Sequence, residues 1–451
     1  MSGRNDPVRS TGMKVLVSCF MSSFMLVMVS NYASYSYTDL AHVSPAMMAT
    51  CMSIVNAIAV VTSVLSGAMI TKSRSRLGKY RPWYLGSVLV CLVGGFLIFF
   101  NIGDSILLKA VVISIGYLFA NGSMDFVTTS RNGLFATLGG TDSNARNLMM
   151  ARGWQGSNLS KIVAGFAVVP LVKYFGRSSE TLGFLIVQSI FTVVVVFGAV
   201  MMFRISKDSD CADEATEEKA KIKVSEMLKA VAMNREALLV TLCDVFRFTG
   251  FFVFMSMMVY QCTAVIGDMM AMTYVMSFTN IGAVIGNTVA PMITGKIGGR
   301  KRVIAVGGFL CSASFASIGL FGATTWGFTI SASLAFFFMS FVDTYDAMLY
   351  IDAGEIWLHK TGKDTKPLLL SMYGIATKIA MTASSAVLGI VLTAISYQAD
   401  VILDAGGKSM LTWATALVPA IGYFAPLLLM LLHRVSDKEM VTIIKENAEK
   451  F

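Results

Sequence analysis

Long apolar runs alternate with short polar segments along almost the whole chain. Most runs reach about 20 residues or more, the length that a helix needs to cross the hydrocarbon layer of a bilayer. Because backbone groups in lipid must form hydrogen bonds within their own segment, runs of this length are predicted to be helices. Twelve spans are predicted, at residues 13–37, 45–70, 82–102, 106–130, 150–174, 182–204, 237–262, 268–295, 302–324, 327–353, 367–396 and 410–433.

One long polar segment, residues 205–236, divides these spans into six and six. Its acids and lysines alternate, a pattern typical of a solvated linker helix, with a regulatory or partner site as the alternative. The predicted domains are a six-helix bundle at 1–204, this cytoplasmic linker, a second six-helix bundle at 237–434 and a cytoplasmic tail at 435–451.

The two halves end their second helices alike. Ala68-Met-Ile-Thr-Lys72 closes the second span, and Pro291-Met-Ile-Thr-Gly-Lys296 closes the eighth. Basic residues and a new span follow both segments. Many carriers consist of two related halves with the substrate site between them at mid-membrane, so the repeat predicts this organisation.

Composition agrees with a membrane protein. Of the 451 residues, 55% are hydrophobic and 14% are charged, whereas about a quarter of the residues of soluble domains are charged. The net charge of +9 comes mostly from cations in short loops, so no nucleic-acid partner is predicted. Seven cysteines lack metal-site spacing and are interpreted as small buried hydrophobic residues. No nucleotide loop, catalytic triad or metal motif is recognisable, so neither an enzyme, an ATP-driven pump nor a cofactor is predicted.

Charge in the loops predicts the topology. The segment Lys72–Trp83 contains five cations and no acid, and the other even-numbered loops also carry lysine and arginine, whereas odd-numbered loops carry few charges. Cytoplasmic loops collect these residues, so both termini are predicted to be cytoplasmic. The first span is interpreted as a retained helix rather than a signal peptide. We expect a multi-pass monomer in the inner (plasma) membrane.

Several motifs spread over the chain resemble those of one family. They are Tyr37-Thr38-Asp39, Ser73-Arg-Ser-Arg-Leu-Gly-Lys-Tyr-Arg-Pro-Trp83, Ile351-Asp-Ala-Gly-Glu355, Lys360-Thr-Gly-Lys363, Lys378 and Val435-Ser-Asp-Lys-Glu-Met440. These motifs occur in the same order as in the glycoside–pentoside–hexuronide cation symporters, the melibiose-carrier-like branch of the major facilitator superfamily. The chain therefore resembles this family. The resemblance implies an all-α membrane protein of twelve transmembrane helices, arranged as two pseudo-symmetric six-helix bundles that alternate access to a solute.

The chain departs from this family at the cation site. The resemblance places the family's cation-binding acids on Ser23, Ala59 and Ser63. A sodium ion needs several oxygen ligands and a compensating negative charge, but alanine supplies neither and serine supplies only a neutral oxygen. The acid that precedes the basic loop in the family is replaced by Thr71. The usual metal site is therefore predicted to be absent.

Charged residues inside the N-terminal spans are functional candidates because a charge at membrane depth is costly. Asp125 lies in a segment similar to one whose acid contacts the sugar in the family; the alternative is a structural partner for Arg131. Arg152 falls where the family has a substrate-contacting arginine, although a small shift in register would place Trp154 there. A guanidinium can hold a carboxylate or a pair of hydroxyls with two hydrogen bonds, and an indole can stack on a sugar. The alternative for Arg152 is an interfacial side chain.

The C-terminal half contains two pairs of charged residues with the same spacing. Asp244 and Arg247 share one helix face and form either a self-neutralised ion pair or a substrate or proton site. Asp343 and Asp346 lack a neighbouring cation in the sequence, and two ionised acids so close repel each other, which favours a bound proton. Lys378 matches a lysine of the family and is expected to be their counter-charge. We predict that the three acids couple transport and that Arg247 and Lys378 bind substrate.

Asp352 and Glu355 match the family's acidic pair at the cytoplasmic end of the tenth span. They are interpreted as gate residues that pair with basic loops, with a solvated helix end as the alternative. The basic gate residues are predicted to be Arg74, Arg76, Lys79 and Arg81.

The sequence therefore predicts a secondary carrier of a sugar, glycoside or hexuronide. The basic residues Arg152, Arg247 and Lys378 favour an acidic solute, and the absence of the family's acids favours protons over sodium as the coupling ion. The expected partners are the small-molecule solute and the lipid bilayer. The alternatives are an uncoupled facilitator of the same fold and a lipid or steroid transporter, which the 31 methionines and 30 phenylalanines permit.

Overall fold

The structure is a computed structural model that describes residues 5–73, 75–100, 103, 105–140, 143–210, 233–361, 366–399, 401–432 and 437–450. Its regular elements are helices throughout these ranges. The α-helices are α1 (Asn5–Ser22), α2 (Phe24–Tyr35), α3 (Pro45–Lys72), α4 (Arg81–Phe99), α5 (Ile106–Gly139), α6 (Ser143–Phe175), α7 (Glu180–Ile205), α8 (Arg235–Tyr260), α9 (Met270–Ile297), α10 (Arg300–Phe321), α11 (Thr325–Asp343), α12 (Asp346–Thr361), α13 (Lys366–Ala394), α14 (Ala405–Leu432) and α15 (Asp437–Lys450).

Eleven helical stretches in the described ranges are long and apolar enough to cross a membrane. The helix α9 lies between them in chain order, at the position of the eighth predicted span. Short π-helical segments extend α2 over Ser36–Leu40 and α8 over Gln261–Ile266. The predicted fold class, an all-α membrane protein, is confirmed.

Two spans that were predicted as continuous helices are interrupted. Ser23 separates α1 from α2, and a turn at Thr344–Tyr345 separates α11 from α12. In the second turn the Tyr345 N–H donates to the Val342 carbonyl at 3.1 Å. Hydropathy averaged over a membrane-length window does not detect such breaks, because long apolar stretches flank the few polar residues on both sides. Both breaks bear on the candidate site.

Two other helices are longer than predicted at the ends expected to face the cytoplasm. The predicted span 106–130 belongs to a helix that runs to Gly139, and the predicted span 150–174 belongs to a helix that begins at Ser143. Hydropathy detects only the apolar part of a helix. Intrahelical hydrogen bonds satisfy the backbone equally well beyond the hydrocarbon, so each helix continues over polar residues.

The described chain forms two compact units. The first contains α1 to α7 together with Met272–Ser277 and Leu392–Ile402. Its helices approach closely where side chains are small: a Cβ on Gly94 of α4 would collide with the backbone of Gly116 and Ala120 on α5. Within the same unit the Tyr397 hydroxyl donates to Asp39 at 2.7 Å.

The second unit contains α8, α10 to α12, α14 and α15, and the larger parts of α9 and α13. An aromatic core joins its helices: Phe254 of α8 lies 5.1 Å from Phe315 of α10 and 5.6 Å from Phe336 of α11, measured between ring centroids. Arg247 lies on the same helix as Phe254, two turns before it. The core thus fixes the helix that carries the buried cation.

Candidate functional site

A buried cluster of one arginine and three carboxylates lies inside the second unit. The guanidinium of Arg247, on α8, contacts Asp244 one turn away, with Nη2 at 3.1 Å and Nε at 3.3 Å from Oδ1. The same guanidinium donates from Nη1 to Asp343 and from Nη2 to Asp346. Arg247 and Asp244 are 1% and 2% exposed. We call these four residues the Arg247 cluster.

The break in the tenth span places two of these carboxylates. Asp343 is the last residue of α11 and Asp346 is the first residue of α12, on either side of the turn. The start of a helix favours a negative charge, which suits the position of Asp346. The sequence shows no cation next to this pair on its own span, and Lys378 was predicted as the counter-charge. The packing of α8 brings Arg247 to both acids, a contact that the sequence did not predict.

The two acids differ in access to solvent. Asp346 is 4% exposed. The Asp343 side chain is 38% exposed, so it forms the open edge of the Arg247 cluster. Of the three carboxylates, Asp343 is therefore the one whose side chain lies at the surface of the unit.

Two aromatic side chains complete the surroundings of the Arg247 cluster. The hydroxyl of Tyr350, on α12, donates to Asp244 Oδ2 at 2.8 Å, and the Arg247 guanidinium lies 4.3 Å from the centroid of the Phe248 ring. Lys378 of α13 is also buried in this unit, at 6% exposure. Arg247 and Lys378 together supply two positive charges, whereas three ionised carboxylates supply three negative charges. One negative charge therefore remains, and a proton bound to one carboxyl group would neutralise it.

The first unit holds its candidate acid differently. Asp125 of α5 is half-buried, and Oδ2 accepts a hydrogen bond from the Thr62 hydroxyl of α3 at 3.2 Å. One turn away, the Asn121 amide donates to Asn56 Oδ1 at 2.7 Å. Neutral hydrogen-bonding groups therefore line this contact between α3 and α5. We call Asn56, Thr62, Asn121 and Asp125 the α3–α5 polar group.

Of the positions that correspond to the family's cation-binding acids, Ala59 lies next to this group and Ser23 forms a hydrogen bond with a residue outside it. Ala59 is fully buried, one turn before Thr62, whose hydroxyl also donates to the Ala59 carbonyl. Ser23 shares a hydrogen bond of 2.8 Å with Ser157 of α6. Ser63 and Thr71 lie in α3, but their side chains are outside the described part of the structure.

Arg152 and Trp154 both lie on α6 but have different neighbours. Arg152 is half-buried near Gly12 of α1 and donates to Gln155 Oε1 at 3.1 Å. Trp154 is 53% exposed, and the guanidinium of Arg131 lies 5.9 Å from the centroid of its ring. Arg131 is 9% exposed, and its Nε has no hydrogen-bond partner among the described residues. The cation beside the indole is therefore Arg131, a membrane-depth charge for which the sequence suggested Asp125 as a structural partner.

The basic loop between α3 and α4 is attached to the end of α7. The Asp210 carboxylate accepts hydrogen bonds from the backbone N–H groups of Lys79, Tyr80 and Arg81 at 2.9–3.2 Å. Gly78 has φ +109°, and a Cβ there would collide with Asp210. Burial raises the pKa of the Tyr80 phenol, and Asp210 raises it further, so this phenol stays neutral.

The predicted basic gate residues have different environments. Arg81 is buried and donates to the carbonyls of Phe203 and Leu77, each at 2.8 Å. Arg76 is exposed and Lys79 is half-buried. Arg74 lies outside the described residues. Arg81 is thus used to hold its own unit together, and the gate role of these residues stays a prediction.

The predicted acidic gate residues lie on α12. Asp352 forms an ion pair of 3.0 Å with Arg300, at the start of α10. Glu355 accepts a hydrogen bond from Asn447 of α15 at 2.7 Å, and Asn447 also donates to the Glu355 carbonyl at 3.0 Å. The first contact joins an acid to the basic loop between α9 and α10 within the second unit, and the gate role of Asp352 stays a prediction. The second docks the tail helix, which the sequence did not predict.

Two functional candidates were missed from the sequence. Tyr350 is an ordinary aromatic residue in an apolar run, and only the fold brings it to Asp244. Asp210 follows the sixth span at the edge of the linker, and nothing local marks it as the cap of α4. Arg131 was a candidate as a charge within a long apolar helix, but its position beside Trp154 was not predicted.

The comparison with known families decides the assignment. The profile described as MFS/sugar transport protein matches residues 20–437. The chain belongs to this family. The resemblance drawn from the motifs, to melibiose-carrier-like symporters of the major facilitator superfamily, is thereby confirmed.

Curated relatives of this family match over nearly the whole chain. An uncharacterized symporter of Bacillus subtilis (strain 168), YjmB, is 24% identical over 96% of this chain and 93% of its own length. The isoprimeverose transporter of Lactiplantibacillus pentosus is 21% identical over 94% of this chain and 88% of its own length. A putative sulfoquinovose importer of Escherichia coli (strain K12) is 21% identical over 85% of this chain and 82% of its own length.

Solved structures of the superfamily share the fold at low sequence identity. The nucleoside transporter NupG superposes with a TM-score of 0.65 at 12% identity, covering 96% of this chain and 99% of that chain. Peptide transporter POT in complex with alafosfalin has a TM-score of 0.64 at 13% identity, covering 97% and 95%. These likenesses support the fold and carry no information on the solute.

Proposed function

We propose that this protein is a secondary carrier that moves an acidic sugar or glycoside across the inner membrane by alternating access, driven by protons. Both termini are cytoplasmic in this proposal, and the carrier acts as a monomer. Asp244, Asp343 and Asp346 carry the proton, and Arg247 and Lys378 meet the negative group of the solute. Asp125, Arg152 and Trp154 are the candidate contacts with the sugar in the first unit. Membership of a sugar transport family favours this class over a lipid or steroid transporter.

The observation that carries the proposal is the charge imbalance of the Arg247 cluster. One guanidinium contacts three carboxylates, of which Asp244 and Asp346 are almost fully buried. An excess charge inside a membrane costs at least a few kcal/mol, so a proton on one carboxyl is favoured. When an anionic group reaches Arg247, it competes with Asp343 at the open edge, and the released carboxylate then takes up a proton. Proton binding and solute binding are thereby linked.

Two further observations support an acidic solute. Buried cations are present in both units, with Arg131 in the first and Arg247 and Lys378 in the second. An arginine binds a carboxylate or a sulfonate better than it binds neutral hydroxyls, because the hydrogen bonds are charge-assisted. Among the relatives, two carry names that refer to sulfoquinovose, a sulfonated sugar.

The test is uptake of a radiolabelled hexuronide into proteoliposomes that contain the purified full chain. We expect accumulation when the outside is more acidic than the inside, and none without the gradient. Asp346→Asn removes a proton-binding group while keeping its shape, so it should abolish accumulation but retain exchange of labelled for unlabelled solute. Asp404→Asn is the matched control in the same unit. Asp404 is an exposed cap of α14 that bonds the Gly407 N–H, and asparagine caps equally well.

Sodium-dependent uptake without any effect of pH would contradict the proton coupling. Accumulation by Asp346→Asn equal to that of the wild type would remove the Arg247 cluster from the coupling mechanism. Transport of a neutral glycoside in preference to its uronide would contradict the acidic solute.

A second candidate, an uncoupled facilitator, is favoured by one observation. Ala59 stands buried where the family has a cation-binding acid, and Ser23 is satisfied by Ser157. In this case the Arg247 cluster is structural. Solute would equilibrate without being concentrated at any pH gradient, whereas the leading proposal requires concentration above the external level.

A further inference from the structure

A cavity of about 870 Å³ lies within the first unit, between the start of α4 and the end of α7. Its walls are apolar on the side toward the middle of the helices, where Leu85 and Val200 face it together with Phe203. Basic side chains line the other side. Its chemistry is therefore divided into an apolar half and a cationic half.

Not all of the charges around this cavity are available to a ligand. Arg81 is committed to the carbonyls of Phe203 and Leu77. The Asp210 carboxylate is committed to the three N–H groups at the start of α4, where the helix dipole also favours it. The cations that remain at the mouth are the exposed side chains of Arg76, Arg204 and Lys207.

The apolar walls continue along the outer faces of both helices. On α4, Leu89 and Val93 follow Leu85 at helical spacing and are 45% and 53% exposed. On α7, Val193 and Phe197 precede Val200 and are 72% and 63% exposed. Exposed apolar side chains of this size on transmembrane helices face acyl chains. An apolar groove therefore leads from the hydrocarbon into a cationic mouth.

We propose that this cavity binds one anionic phospholipid of the cytoplasmic leaflet. The phosphate group lies between Arg76, Arg204 and Lys207, and the acyl chains follow the groove along Leu85 and Val200. The predicted topology places the mouth on the cytoplasmic side, where anionic head groups attract basic residues. A free phosphate would use the cations alone and leave the apolar walls uncovered, so the lipid is the better match. This site is independent of the transported solute.

A lipid bound in this cavity should also stabilise the folded carrier. The groove lies between α4 and α7, and Asp210 already attaches the loop before α4 to the end of α7. A lipid in the cavity would reinforce the same attachment. It should therefore raise the unfolding temperature of the full chain in detergent.

The test is native mass spectrometry of the delipidated full chain with phosphatidylglycerol and phosphatidylcholine of equal acyl length. We expect phosphatidylglycerol to be retained in preference. Arg204→Gln/Lys207→Gln should weaken its retention about 30-fold, the factor for two surface cations at the usual strength of such contacts. The matched control is Arg9→Gln/Lys14→Gln, which removes two exposed cations of α1 in the same unit.

A second variant tests the cavity without changing its charge. Val200→Trp fills the apolar half, so it should lower the retention of phosphatidylglycerol while all the cations remain. It also carries the test if the charge variant does not fold. Thermal unfolding with and without added lipid is the second readout. The lipid should raise the unfolding temperature of the wild type and of Arg9→Gln/Lys14→Gln, but not that of Arg204→Gln/Lys207→Gln or Val200→Trp.

Three results would overturn the proposal. Equal retention of phosphatidylcholine would show that the cations do not select the head group. An equal loss in Arg9→Gln/Lys14→Gln would show that general surface charge explains the preference. Displacement of phosphatidylglycerol by inorganic phosphate at the same concentration would identify a simple anion site rather than a lipid site.

Discussion

The α3–α5 polar group in the first unit and the Arg247 cluster in the second hold acids in different ways. Asp125 is a single, half-buried carboxylate whose described neighbours include the neutral groups Thr62 and Asn121. In the second unit, Arg247 contacts three carboxylates, of which Asp244 and Asp346 are almost fully buried and Asp343 is exposed. The hydrogen bond from the Thr62 hydroxyl to Asp125 can also be accepted by the amide oxygen of a neutral isostere. The Arg247 cluster depends on its guanidinium, because this positive charge offsets the repulsion among the three carboxylates.

The comparison also bears on how a carrier of this family uses its halves. The family resemblance puts the cation-binding acids in the first half, and those positions hold Ser23, Ala59 and Ser63 here. The Arg247 cluster lies in the second half, and the proposed function gives it the coupling role. A group that binds a coupling ion needs an excess of negative charge more than it needs a particular helix. The four predictions below test that difference, beginning with the largest expected effect.

Arg247→Met should be the most damaging substitution. It leaves three carboxylates together without their central guanidinium, and loss of one partner from a buried ion pair typically costs about 3–5 kcal/mol. We expect little folded protein and no transport. The measurement is the unfolding temperature in detergent, followed by uptake. Arg247→Lys should be intermediate, because it keeps the charge but cannot contact three acids at once; wild-type stability of Arg247→Met would refute the charge-balance argument.

Ala59→Asp should be the next most costly. The site is fully buried, and an acid at the centre of a membrane helix costs roughly 3 kcal/mol. It would also place a second carboxylate one turn from Thr62, which already bonds Asp125. Urea unfolding in detergent measures the loss of stability. Ala59→Asn has nearly the same shape without the charge, so equal destabilisation by both variants would point to volume rather than charge.

Tyr350→Phe should cost less, about 1.5–3 kcal/mol, because it removes one hydrogen bond to a charged acceptor and leaves the ring in place. The unfolding temperature should fall, because the buried Asp244 carboxylate loses a hydrogen-bond donor. Tyr373→Phe is the control: its ring packs against Phe248, with the centroids 5.2 Å apart. If both variants behave alike, the Tyr350 hydroxyl contributes nothing specific.

Asp125→Asn should have the smallest effect on stability, below about 1 kcal/mol, since the amide oxygen can accept from the Thr62 hydroxyl as the carboxylate does. Solute affinity should still fall if Asp125 contacts the sugar. The matched substitution in the other unit is Asp244→Asn. It removes a negative charge that contacts Arg247, so it should lower the free energy of unfolding by more than Asp125→Asn does. A larger loss of stability for Asp125→Asn than for Asp244→Asn would reverse the comparison between the two groups.

Much of the architecture was predictable from the chain alone. Apolar runs of membrane length and basic loops between them predicted twelve spans and an all-α membrane fold, because lipid excludes unsatisfied backbone and charge. The same physics marked Asp125, Asp244, Arg247, Asp343, Asp346 and Lys378 as candidates. The motifs from Tyr37 to Lys378 pointed to the family that the comparisons then confirmed.

Contacts between distant helices were not predictable in this way. Asp343 and Asp346 had no cation nearby in the sequence, and only the packing of α8 against the break between α11 and α12 brings Arg247 to both. Tyr350 reaches Asp244, and Asp210 caps α4, across separations of 106 and about 130 residues.

Local hydropathy patterns indicate which segments lie in the bilayer, because every residue of a span must be compatible with an apolar surrounding. They do not record which helix faces which, because many packings bury the same apolar surface. The sequence by itself therefore determined the membrane class, the spans and the set of costly charges. The tertiary structure alone decided that one guanidinium would contact three of the carboxylates.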